Sequence, residues 1–109
     1  MRLQRLTLAV LLSACASTER ARFDANRDRA LDASKQLRIG MTYDEIASQI
    51  EPPANCQGHP ANLAVCELIY QTGFEDPYKP RAGYTTIRLA FAKNRLTDWS
   101  TIPARYSKP

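Results

Sequence analysis

The apolar positions of this chain change period along its length. Leu6 to Leu12 (LTLAVLL) is an unbroken apolar run. As a helix at about 1.5 Å per residue it would cover roughly a third of a ~30 Å hydrocarbon layer, which is too short to cross it. Residues 23 to 38 then place Phe23, Ala30, Leu31, Ala33 and Leu37 near helical spacing with charges between them, a thin amphipathic stripe. A second, shorter helix is predicted by Ile46, Ala47 and Ile50 and is stopped by Glu51-Pro52-Pro53, since proline donates no helical hydrogen bond.

The turn between these helices carries the densest local signal. Gly40 can take the left-handed conformation that ends a helix, and Thr42 with Glu45 three residues later forms a capping box. Met41 and Ile46 stand at the hydrophobic-staple positions on either side of that cap. Residues 54 to 63 (ANCQGHPANL) read as turn-rich loop.

The period then becomes two. Ala64 to Thr72 alternates Cys66, Leu68 and Tyr70 against Val65, Glu67 and Ile69, and Thr85 to Ala92 sets Ile87, Leu89 and Phe91 against Thr86 and Arg88. Lys93-Asn94-Arg95 turns the chain, Asn94 being best suited to positive φ, and a third strand runs from Leu96 to Ile102 before Pro103. The predicted architecture is α+β: two N-terminal helices packed on one face of a three-stranded antiparallel sheet, in the order ααβββ, with the other face partly open to solvent. The domain spans 23–103, and residues 104–109 (ARYSKP from the last alanine) form a loose tail.

The 109 residues suffice for one small domain, and 44% hydrophobic content is too much for a disordered chain. A net charge of +4 invites a nucleic-acid or membrane-surface reading until the N-terminus is considered. Arg2 and Arg5 precede the apolar run, and Leu12-Ser13-Ala14-Cys15 follows it, which resembles a bacterial lipobox. On this reading residues 1–14 are a lipoprotein signal peptide, Cys15 carries the lipid, and residues 15–22 tether it to the domain. Several acyl chains at about 0.8 kcal/mol per buried CH₂ would anchor it firmly. Ala16 rather than Asp follows the cysteine, and the resemblance to sorted lipoproteins then implies the outer membrane, facing the periplasm. Removing residues 1–14 takes away two arginines and no acid, lowering the net charge to +2. A nucleic-acid partner is then not expected.

The odd cysteine count follows the same logic. With Cys15 lipidated, Cys56 and Cys66 remain in an exported chain and are expected to form a disulfide. Closing that loop is worth roughly 2.5 to 3 kcal/mol on the chain-entropy account. A metal site or a reactive thiol pair is the alternative, and neither has its usual C-x-x-C spacing here.

Other candidate chemistry is weak. Asp24, Asn26, Asp28 and Asp32 fall at calcium-loop positions, yet Arg29 stands where glycine is needed and Lys35 where a bidentate Glu is needed. His59 lies alone in a turn without a nucleophile motif, and no glycine-rich phosphate loop exists. No catalytic residue, metal or cofactor is assigned. Tyr70, Tyr84, Phe91 and Trp99 are either core or contact residues. Trp99, Tyr84, Arg81 and Lys79, with the loop from 73 to 84, are the candidate partner-binding residues. The basic residues Lys79, Arg81, Arg88, Lys93 and Arg95 gather in the second half, where they can be solvated or meet an anionic surface.

The element order, the run LRIGMTYDEI, the strand IRLAF and the turn leading to LTDW together resemble the BamE-like (SmpA/OmlA) family of small outer-membrane lipoproteins. The resemblance covers about residues 35 to 100 and is sharpest at Gly40-Met41-Thr42. It implies a non-enzymatic scaffold or accessory of outer-membrane assembly or integrity, with an envelope protein as partner. The wider superfamily includes β-lactamase inhibitor proteins, so an inhibitor or binder of a soluble envelope enzyme is the alternative.

Overall fold

The computed structural model describes the backbone of residues 2–104 and the side chains of residues 18–104. The side chain of Cys15 and most of the tail expected at 104–109 therefore lie outside the described residues. Among the described residues, no helix is long and apolar enough to cross a membrane.

Helix α1 spans Arg2–Gln36. It continues through 15–22, where the small polar pattern predicts a tether, because no glycine or proline interrupts it and Ala, Glu and Arg all favour helix. Its docked side is narrow: Phe23, Ala30 and Ala33 are buried, as is Leu37 just past its end, while Leu31 is exposed. The small side chains of Ala30 and Ala33 let the helix backbone lie close to the sheet. Polar contacts fix the earlier turns, with Asn26 Nδ2 donating to the Gln71 carbonyl at 2.9 Å and Arg27 Nη2 to that of Thr72 at 3.3 Å. The residues that resemble a calcium loop are thus consecutive turns of helix, and Asp24 pairs with Arg27.

The interhelical turn keeps its capping box, but α1 ends at Gln36, four residues before Gly40, so Gly40 bends the turn and does not end the helix as expected. Gly40 has φ +94°, and the Glu45 amide donates to Thr42 Oγ1 at 3.1 Å while the Thr42 amide donates to Glu45 Oε1 at 3.3 Å. Helix α2 (Tyr43–Gln49) follows, and Ile46 is wholly buried. The same turn also joins the sheet: the Gly40 amide donates to the Leu96 carbonyl at 2.8 Å and the Leu96 amide to that of Met41 at 2.7 Å.

Four antiparallel strands form one meander, in spatial order β1 (Ala54–Gly58), β2 (Leu63–Gln71), β3 (Tyr84–Ala92) and β4 (Arg95–Ile102). The expected three-stranded sheet is corrected to four, because residues 54–58 of the predicted loop are a strand. Every residue of β1 is exposed, so it has no buried alternation to betray it. Backbone pairing to β2 and the Cys56–Cys66 link define it instead. Residues 59–62 remain a turn, closed by the Asn62 amide on the His59 carbonyl at 2.9 Å.

Both helices cover one sheet face, as the alternation predicts. Ala33, Leu37 and Ile46 share a core with Cys66, Leu68, Tyr70, Ile87, Leu89, Phe91 and Leu96. The β3–β4 turn places Lys93 and Asn94 at φ 53° and 62°, the pair of left-handed residues that a two-residue hairpin requires. Its amides donate to the carbonyls of Asn62 and Pro60, locking the two hairpin turns at that end together.

Candidate partner-binding surface

The sheet face turned away from the helices is built by the alternate residues of three strands. Val65, Glu67 and Ile69 of β2 stand beside Ala90, Arg88 and Thr86 of β3, and Asp98, Ser100 and Ile102 continue the rows on β4. Val65 is 40% exposed and Arg88 is exposed, so apolar and cationic groups adjoin on one solvent-facing surface.

The loop between β2 and β3 bends over one end of that face. Arg81 reaches Glu67 with two parallel bonds, Nη1 to Oε2 at 2.5 Å and Nη2 to Oε1 at 3.0 Å. Glu67 is almost fully covered while Arg81 stays half-exposed. The fork geometry fixes the guanidinium as well as neutralising the carboxylate, and the hydrogen bond to Glu67, followed by its charge, holds Arg81 above the ordinary arginine range. Arg81 also has φ +68°, a conformation that side-chain-bearing residues rarely adopt. Tyr84 donates its hydroxyl to Glu75, and this bond, with partial burial and the carboxylate charge, raises the phenol's pKa. Glu75, Asp76, Lys79, Pro80, Arg81 and Tyr84 line an open cleft of about 420 Å³.

Three of the candidate residues, Lys79, Arg81 and Tyr84, are therefore neighbours. Trp99 is not among them. It pairs with Leu89 and packs half-buried against the core on the helix-facing side. The basic residues also divide. Lys79 and Arg81 lie at one end of β3, and Lys93 and Arg95 lie past the other, across a strand of about 30 Å. Arg95 is engaged by the Gly40 carbonyl at 2.9 Å.

Sequence reasoning did not single out Glu67, and it took in Phe74 and Tyr78 as part of the loop from 73 to 84. A lone acid between Cys66 and Leu68 is the signal that could have marked Glu67, since an acid in a strand needs a cation when covered. Phe74 is 66% exposed and meets Phe23 edge-on at 5.0 Å, and Tyr78 is 90% exposed at the loop tip.

Two further groups belong to the framework. Tyr70 and Phe91 are core residues. Burial, followed by a hydrogen bond to Glu51 and its charge, raises the pKa of Tyr70 against the opposing charge of Arg29. His59 Nδ1 accepts the Ala61 amide at 3.1 Å in an exposed turn. Among the described residues, no group of three or more His, Cys, Asp or Glu side chains is placed to hold a metal ion. Compared with known proteins, the chain matches no family model, no curated protein and no solved structure.

Proposed function

We propose that this chain is a lipid-anchored, non-enzymatic protein-binding module of the bacterial envelope, held at the outer membrane by Cys15, facing the periplasm and related to the BamE-like lipoproteins. The observation that carries the binding role is the exposed sheet face, where Val65 and Arg88 lie open beside the Glu67–Arg81 pair. The exposed Val65 with the exposed guanidinium of Arg88 near it suits a protein surface that offers an apolar group beside a carboxylate. The anchor is supported by the order of basic residues, apolar run and Leu12-Ser13-Ala14-Cys15 in the sequence.

A photo-crosslinking residue at position 88 or 79, expressed in the native host, should capture a membrane-associated protein, whereas one at position 99 should not. Capture from position 99 alone would overturn the assignment of this face. Loss of Cys15 should move the protein out of the membrane fraction. The second reading, a binder of a soluble envelope enzyme, is favoured by the projecting loop with Tyr78 at its tip. It requires a 1:1 complex that survives Cys15→Ala in a chain exported by an ordinary secretory signal.

A further inference from the structure

The two cysteines joined across β1 and β2 stand in opposite environments. Cys66 has no exposed surface and belongs to the core, opposite Leu89. Cys56 is exposed in β1 and lines an open cavity of about 470 Å³ with Tyr43, Asp44, Gly58, His59 and Asn94. Only one of the two sulfurs belongs to a residue that solvent, and hence a reagent, can reach.

The strand carrying Cys56 has little else to hold it. No side chain of β1 is buried. Its pairing to β2 consists of Ala54 with Glu67, Gln57 with Val65 and Gly58 with Ala64, and the register shifts between the first two. Asn55, inside the shift, has φ +51°. A strand with no buried apolar area and an interrupted ladder gains almost nothing from the hydrophobic effect, so its covalent tie dominates its attachment.

We propose that Cys56 is a site of thiol–disulfide exchange with a dithiol reductant, and that reduction there releases β1 from the sheet while the rest of the fold persists. A thiolate of the dithiol attacks Cys56 Sγ; the bond to Cys66 breaks as a mixed disulfide with Cys56 forms. The electron pair leaves on Cys66 Sγ, which takes up a proton because a thiolate is poorly solvated among apolar neighbours. The second thiol of the reductant then displaces Cys56 as a thiol, so two electrons pass to the protein and the dithiol becomes a disulfide. Reduced Cys66 remains in the core as a small apolar side chain. Release of β1 leaves β2 as the edge strand of the sheet.

The test uses the full-length oxidised protein and reduced glutathione as a monothiol probe, quenched with a maleimide and mapped on peptides cut between Cys56 and Cys66. The expected result is glutathione on Cys56 in about tenfold or greater excess over Cys66. After full reduction with dithiothreitol, amides 54–58 should exchange hydrogen at least about tenfold faster, while those of Leu68, Ile87 and Leu89 change less than about twofold. Glutathione on Cys66, equal labelling, unchanged exchange across 54–58, or exchange rising equally in the core would each overturn the proposal. So would free Cys56 and Cys66 thiols in the air-oxidised protein. Cys56→Ser provides an independent check, since it should reproduce the fast exchange of β1 and leave the Cys66 thiol unreactive to maleimide until the protein unfolds.

Discussion

Ile46→Ala tests whether α2 is held by one side chain. The helix has seven residues, too few to be stable alone in water, and Ile46 is its fully buried residue. It sits in the same core as Met41, Leu37 and Leu68. The substitution removes three carbons, which at about 0.8 kcal/mol each lose about 2.4 kcal/mol of transfer free energy. The space left behind raises this to about 3–4 kcal/mol, because the rigid sheet below cannot collapse into it. For a domain of this size that lowers the midpoint of thermal unfolding by about 12–32 °C. Urea unfolding followed by circular dichroism reads the same loss as a lower midpoint at unchanged slope. Leu31→Ala is the control: Leu31 is 54% exposed on α1, and its loss should cost under about 0.5 kcal/mol. An Ile46→Ala protein within about 1 kcal/mol of the parent would refute the idea that α2 is pinned through this contact.

Other expectations follow from single observations. Gly58→Ala places a Cβ 2.2 Å from the Leu63 carbonyl oxygen at φ +87°, whereas Gly40→Ala at φ +94° meets nothing within 4 Å. The Gly40 substitution should therefore cost about 1–2 kcal/mol from backbone conformation alone, and Gly58→Ala distinctly more, compared by chemical denaturation. Thr42→Ala removes the cap of α2 and should cost about 1 kcal/mol, read in the same assay. Tyr70 has a raised folded pKa, so its contribution is fully present below the unfolded value near 10 and is lost as pH rises from there toward the folded value. Tyr70→Phe should flatten the fall in stability above about pH 10, measured by urea midpoints at increasing pH, and an unchanged alkaline limb would contradict this.

What could be read from the sequence is what is encoded within a few residues. The Gly40 turn, the capping box of Thr42 and Glu45 and the proline stop after α2 each need only near neighbours, as does the alternation of Leu68, Tyr70, Ile87 and Leu89. These determined the α+β class and the face that the helices cover. Pairing decided the rest. Leu96 and Trp99 are an odd number of positions apart and would face opposite sides of a regular strand. The ladder instead skips a residue, with Phe91 opposite Leu96 but Ala90 opposite Asp98, and Thr97 Oγ1 donates to the Ala90 carbonyl at 3.1 Å. One extra residue turns Trp99 back toward the core side of the sheet. Strand β1 is likewise defined by its partner and not by its own composition, since a fully exposed strand carries no hydrophobic period. Glu67 and Arg81 are 14 residues apart and meet only because the loop folds over the sheet, a long-range closure that local patterning does not encode.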